Sequence, residues 1–264
     1  KSEYWLSQQG RLTDPMVLRP GDTHYRPISW DGAFALIAEH LHALPSPDEA
    51  VFYTSGRTSN EAAFLYQLLV RSFGTNNLPD CSNMCHESSG TALTESIGVG
   101  KGSVTVDDVE HADLIVVAGQ NPGANHPRML SVLAKAKANG AKIIAVNPLP
   151  EAGLIRFKDP QTARGILAGG VPIADEFVQV RLGGDMALFR GLARLLLEAD
   201  ARAPGSVLDR DFLDAHCLGF EDYAATARTT SLDTVTEATG VEGAQLDRVA
   251  SMLAASTRTI VCWA

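Results

Sequence analysis

The sequence predicts an α/β fold, a parallel sheet with helices on both faces. Three observations carry that prediction. Short, nearly continuous apolar runs such as "ADLIVVAG" (112–119) and "AKIIAVNP" (141–148) have the texture of strands buried on both sides. Segments with helical spacing of apolar residues alternate with them, as parallel βαβ units require. The runs end in "TSGRTSN", "AGQNPGANH", "VNPLPEAG" and "RLGGD", all rich in Gly, Asn, Ser and Asp. Open α/β sheets bind their ligands beyond these carboxyl ends, and such turns let backbone amides approach a phosphate or nucleotide.

The elements follow in order. Residues 1–27 are polar and proline-containing, an extended lead-in. Ser29 is a candidate N-cap for "SWDGAFALIAEHLHAL", in which Ala33, Ala35, Ile37, Ala38 and Leu41 approximate one helical face. "AVFYTSG" (50–56) reads as a strand and "SNEAAFLYQLLVRSFG" as a helix with Gly74 past its end. After the strand at 112–119, His126 and Pro127 open a helix that ends at Gly140, and the strand at 141–148 follows. A loop containing "GLIRFKDPQ" leads to a strand at 177–182, a Gly–Gly turn, and a helix N-capped by Asp185. Four shorter helices, "DRDFLDAHC", "FEDYAAT", "SLDTVTEATGV" and "EGAQLDRVASMLAAS", precede a last strand, "RTIVCWA".

Composition narrows the function classes. With 264 residues, 45% hydrophobic and 20% charged, the chain suffices for one large or two small folded domains. A net charge of −9 argues against nucleic-acid partners, and no apolar run approaches the roughly 18–20 residues of a membrane span. Four cysteines without a CxxC do not make a secreted disulfide framework. With no signal peptide visible, a cytoplasmic setting is expected. The chain opens at Lys1 without methionine and stops inside an apparent strand, so it is expected to be a piece of a longer protein. Neither GxGxxG nor GxxxxGK[ST] occurs, which removes the NAD fingerprint and the P-loop.

The stretch "PDCSNMCHESSG" (79–90) holds two of the cysteines and an adjacent histidine. Cys85 and His86 suit a thiolate nucleophile with a histidine base, or zinc ligation with Cys81 and His111 or His126. They also suit a single thiolate on a soft metal held mainly by something else, with the imidazole moving protons. A buried, inert thiol beside a casual histidine fits equally, and composition does not choose.

The ordered motifs do. "QGRLTDPM … ISWDGAF … YTSGRTSNE … CSNMCHESS … ESIGVGKGSV … ADLIVVAGQNPGANHPRM … AKIIAVNPL … VRLGGDMAL … FLDAHCLGFEDY … TEATGV … TIVCWA" resembles the molybdopterin oxidoreductases over essentially the whole chain. Within them it is similar to formate-dehydrogenase-like alpha subunits of the bis-molybdopterin guanine dinucleotide type. The resemblance implies a molybdenum or tungsten cofactor, with Cys85 as its protein ligand and His86 as proton acceptor for a small substrate such as formate. It assigns the cofactor grip to 119–127, 146–148 and 182–185. Gln120, Asn121, Pro122, His126, Asn147, Pro148, Gly183, Gly184 and Asp185 are the candidates, with Lys101 beside them for a pyrophosphate or the substrate. The side chains of Asn121, Asn147 and Asp185 suit guanine, ribose or pterin edges, although Asn also forms turns and Asp also caps helices.

The resemblance further implies a Rossmann-like, dinucleotide-binding domain at 82–256. That domain is inserted into an incomplete α/β domain made of 28–81 and 257–264. The family's 4Fe-4S cluster would belong to an amino-terminal segment this sequence lacks, and an electron-transfer subunit and the remaining domains of the same subunit would be partners. The isolated piece is therefore expected to be inactive. Glu87 stands where the best-known formate enzymes carry a small residue. A carboxylate facing the metal would repel an anionic substrate, whereas at a helix start the helix dipole would favour it. The alternative function is a nucleotide-binding module without redox chemistry. Cys81, Cys217 and Cys262 have structural contexts, and Arg57 suits either a phosphate or a solvated loop.

Overall fold

The computed structural model describes residues 5, 8–55, 58–79, 87–161, 165 and 169–263. The chain divides into two compact units, 1–100 and 101–264.

In the first unit, β1 (Met16–Val17) pairs antiparallel with β2 (Arg26–Pro27). Ser29 caps α1 (Trp30–His42), its hydroxyl accepting from the Gly32 N–H at 3.1 Å, as expected. Ser59 does the same for α2 (Asn60–Phe73), which ends on Gly74 at φ +111°, a left-handed conformation that glycine adopts without a Cβ clash. The expected strand at 50–56 does not form within the described residues 50–55. Its polar groups are drawn to one asparagine instead. Asn77 Nδ2 donates to Asp48 O (2.8 Å) and Ala50 O (3.2 Å), and the Phe52 N–H donates to Asn77 O (2.9 Å). Within the described residues the run makes a single bridge, at Thr54, and β-formers with so little ladder stay irregular. The unit closes with α3 (Ser88–Ile97).

The second unit opens with α4 (Val106–Glu110) and β3 (Leu114–Ala118). Next come α5 (Pro122–Asn125), α6 (Pro127–Ala138), β4 (Lys142–Val146), α7 (Ala152–Ile155) and β5 (Glu176–Val178). It continues through α8 (Asp185–Arg202), α9 (Arg210–His216), α10 (Phe220–Arg228), α11 (Leu232–Thr239) and α12 (Gly243–Ala255) to β6 (Thr259–Trp263). The sheet order is β5-β4-β3-β6, all parallel. Successive side chains point to opposite faces, so each strand feeds two cores. Leu114, Val116, Ile144 and Val178 meet Leu188 and Leu192 of α8 and Leu246 and Val249 of α12. On the other face, Ile115, Val117, Ile143 and Ala145 meet Leu130 and Leu133 of α6 and Leu154 of α7. Full burial of each such aliphatic side chain stabilises by roughly 1.5–3 kcal/mol. The parallel sheet covered on both faces is the architecture the sequence predicts.

Two boundaries differ from expectation. The strand expected at 177–182 pairs only over Glu176–Val178. Its neighbour β4 runs out at Val146, and after the Asn147 N–H donates to Val178 O (3.1 Å) comes Pro148, which has no N–H to continue the ladder. Asp185 does not cap α8: Gly184 holds the cap position and Asp185 is the first helical residue. The compact units place α3 in the first unit and β6 in the second. β6 pairs with β3 from Leu114↔Thr259 to Ala118↔Trp263, and Ile260 and Cys262 pack on the α6 side of the sheet. A polar clasp fixes that register at its start. Arg258 and the Thr257 hydroxyl each donate to the Asp113 carboxylate at 2.7 Å, and the Arg258 carbonyl accepts from the Asp113 N–H at 2.9 Å.

Candidate functional site

After β3 the chain moves to β4 and β5 on one side, and β6 lies on the other. In open α/β sheets, ligands bind outside the strand carboxyl ends at such a reversal. A hollow of about 430 Å³ lies there. Gly119 follows β3, Asn147 and Pro148 follow β4, Arg181 and Leu182 follow β5, Asp185 and Phe189 begin α8, and Trp263 ends β6. A second hollow of about 780 Å³ shares Pro148, Arg181 and Leu182 and extends to Thr239, Gly240, Glu242 and Gln245.

Local chemistry sets each of these groups. Gly119 sits at φ +73°, and its N–H donates to Val146 O at 2.9 Å, turning the chain out of the sheet. Asn147 is buried. Its Nδ2 donates to Gln120 O (3.2 Å) and its Oδ1 accepts from the Leu149 N–H (3.4 Å). Gln120 Nε2 donates to Trp263 O at 3.2 Å, joining the ends of β3 and β6. Its Oε1 is buried with no hydrogen-bond partner, which sets it apart among the described residues. A buried acceptor left unmade costs about 1–3 kcal/mol, so a donor arriving from a ligand gains there. Arg181 is held by its Nη1 donating to Glu237 O at 2.7 Å, and it lines both hollows.

The two glycines act differently. Gly183 needs φ +79° and has open space around it. At Gly184 a Cβ would lie 3.0 Å from Arg181 O and from Val180 Cγ2 and 3.1 Å from Thr239 Cα, so only glycine packs without displacement. Together they bring the chain tightly into α8, whose first-turn N–H groups and positive dipole end favour an anion.

The remaining sequence candidates lie elsewhere. Asn121 does turn-forming work: its Oδ1 accepts from the Ala124 N–H at 3.2 Å, and its Nδ2 donates to Glu151 at 2.5 Å. Pro122 is buried in the first turn of α5. His126 is exposed before α6 and makes no cap bond, and Lys101 is exposed. None of these four lines either hollow. Cys81, Cys85, His86 and Arg57 lie outside the described residues. Glu87 and Glu95 line a hollow of about 450 Å³ along α3. Burial pushes the Cys262 thiol up from its ordinary value, so it stays protonated and a poor metal ligand. Among the described residues no group of three or more His, Cys, Asp or Glu is placed to hold a metal ion. Sequence reading missed Arg181 and Trp263. Arg181 directly precedes "LGGD" and was open to detection, whereas Trp263 reaches the site only through the β3–β6 pairing.

Fold and site together define a parallel α/β protein with a hollow at its strand ends. The sequence pattern of the molybdopterin oxidoreductases matches residues 11–179, and the chain belongs to that family. It is 77% identical over its whole length to an uncharacterized oxidoreductase of Mycobacterium tuberculosis, of which it covers 34%. It is 30% identical over 258 residues to formate dehydrogenase H of Escherichia coli, covering 96% of this chain and 33% of that protein. The acetylene hydratase of Pelobacter acetylenicus shares its fold, with a TM-score of 0.55 at 20% identity over 98% of this chain and 33% of that one. The chain thus spans about a third of the length of the curated relatives it matches.

Family membership implies a molybdenum or tungsten pterin cofactor. The residues present fit such a group. The unpartnered Gln120 Oε1 offers an acceptor, Arg181 and the start of α8 offer positive potential, and Gly183–Gly184 give close backbone approach. Among the described residues no helix is long and apolar enough to cross a membrane.

Proposed function

We propose that this chain is part of a formate-dehydrogenase-like enzyme that removes two electrons and a proton from a small substrate, using a guanine dinucleotide form of the cofactor. What supports this most is the strand-end hollow lined by Asn147, Arg181 and Trp263, with the unsatisfied acceptor of Gln120, which bonds to Trp263, in a chain of this family. Arg181 and the first-turn amides of α8 would hold phosphates. Gln120 and Asn147 would bond to base or pterin edges, and Trp263 and Phe189 would cover an aromatic plane. The bound cofactor supplies the two-electron redox centre. Cys85 would give the protein's thiolate to its metal, a soft donor for a metal already held by sulfur. His86, the next residue in the sequence, would take the proton released by the substrate.

Elemental analysis and kinetics on the full-length enzyme test this. Cys85→Ser is expected to lose the metal or nearly all turnover. His86→Gln should keep the metal and lower kcat by about 10²–10⁴-fold. A full-length protein without molybdenum, tungsten or pterin would sink the proposal and leave a nucleotide-binding module.

One observation favours a second reading of the substrate. Glu87, two residues from Cys85, shares its hollow with Glu95, and this double negative potential disfavours a carboxylate anion near the metal. In that reading the substrate is uncharged. Glu87→Gln in the full-length enzyme should then lower KM for formate and leave KM for neutral substrates unchanged; an unchanged formate KM would return the choice to formate.

A further inference from the structure

The loops after β3 and β4 lead into α5 and α7, helices of four residues each and too short to be stable alone. Contacts between the two loops hold them instead. At their roots the Gly119 N–H donates to Val146 O, and Asn147 Nδ2 donates to Gln120 O. Further out, Asn121 Nδ2 donates to Glu151 at 2.5 Å, in a partly buried setting. There α5 and α7 touch backbone to backbone: a Cβ added at Gly153 would stand 3.1 Å from Gly123 Cα and 3.0 Å from Leu130 Cδ1. Neither glycine accepts a side chain without parting the helices.

We propose that Glu151 is a positioning residue for the cofactor-binding edge, tying the two loops into one piece through Asn121. This rests on the proposed cofactor site at the strand ends. Glu151 and Asn121 line neither hollow, so they act through their neighbours. Gln120 directly precedes Asn121 and reaches Trp263 O, while Asn147 and Pro148, on the chain leading to Glu151, line the hollow. The carboxylate only accepts, and it takes the amide's donor while Asn121 Oδ1 accepts from the Ala124 N–H. Both ends of the amide are thereby fixed. Without Glu151 the donor is left unmade, and α5 is free to swing with Gln120 at its root. Outer partners that orient a binding group typically change its affinity by about 10–100-fold.

The test uses the full-length protein after gel filtration, with pterin measured by its fluorescence after oxidation and metal by elemental analysis. Glu151→Ala is expected to hold about tenfold less of both per folded protein. Glu151→Gln, whose side-chain oxygen still accepts from Asn121, should hold nearly the wild-type amount. Thr105→Ala, which removes the cap of α4 on the chain entering β3, is the stability control. It should lower the melting temperature and keep its pterin. Undiminished pterin in Glu151→Ala, an equal loss in Thr105→Ala, or a glutamine variant as depleted as the alanine one would overturn the proposal. Hydrogen exchange gives a readout that needs no cofactor. In Glu151→Ala the Gly119 and Asn147 amides should exchange about tenfold faster while core amides of β3 and β4 keep their protection. Unchanged exchange at those two amides would overturn the proposal as well. A wild-type protein without pterin would strike the proposed cofactor site itself, whereas pterin in the wild type and an unaltered Glu151→Ala would strike the positioning role alone.

Discussion

Helices of nearly equal length behave oppositely in the two units. α6 and α12, with 12 and 13 residues, bury Leu130, Leu133, Leu246 and Val249 against the sheet. α1 and α2, with 13 and 14 residues, bury only Val70 between them. All four carry an apolar stripe and three have sound end signals, so helix formation is not what separates them. The difference is the platform. Residues 101–264 contain four strands whose alternating side chains fill both faces, whereas residues 16–17 and 26–27 form only a short ribbon with no face to cover. Local sequence makes a helix; a neighbouring layer makes it part of a core.

The largest expected effect would break this contrast if it failed. Leu133→Ala should cost about 2–5 kcal/mol in denaturant unfolding of residues 1–264, because its site is fully buried. Leu68→Ala in the same chain should stay within about 0.5 kcal/mol. Equal costs would mean that α2 has a core of its own. Next in size is Gly184→Ala, where the added methyl meets backbone and side chain at 3.0–3.1 Å. A loss of about 1–3 kcal/mol in thermal unfolding is expected. Gly183→Ala, strained only by its positive φ, should cost about 1–2 kcal/mol.

Ser59→Ala sharpens the other side of the contrast. It removes the hydroxyl that accepts from the Ala62 N–H and should reduce helical circular dichroism in the first unit, costing about 1 kcal/mol. The smallest effect depends on pH. Hydrogen bonds from Arg258, and then from Thr257, lower the Asp113 carboxyl to about 2. Its unfolded value lies near 3.9, approximately, so its contribution is complete above that pH and is lost as pH falls towards 2. Hydrogen exchange of the β6 amides should therefore rise through this acid window, and Asp113→Asn should flatten the dependence. Unchanged protection would show that the clasp does not hold the edge strand.

Much of the second unit was legible in its residues. "ADLIVVAG" and "AKIIAVNP" became β3 and β4 and the helices appeared where their periodicity placed them; in the first unit, Ser29 begins its helix and Gly74 ends its own as local chemistry requires. Asn147, Gly183, Gly184 and Asp185 lie in strand-end turns whose composition marks them, and Asn147 and Asp185 line the hollow. Asn121 caps a short helix and bonds to Glu151, uses of an amide that its place in a turn does not separate from reading a ligand edge. "AVFYTSG" misled because strand propensity makes a strand only where a ladder continues, and within the described residues it gives a single bridge, at Thr54.

The sequence by itself determined the alternation of strands and helices, their ends, and the family to which the chain belongs, since these depend on neighbours along the chain and on ordered motifs. Only the tertiary structure decided that β6 pairs with β3, that Trp263 and Arg181 meet Asn147 at one hollow, and that Gln120 keeps a buried acceptor without a partner. The longest of those links join residues more than 140 positions apart, as Gln120 and Trp263 are. Pairings at that distance are fixed by packing and hydrogen-bond satisfaction across the sheet, which no local pattern encodes.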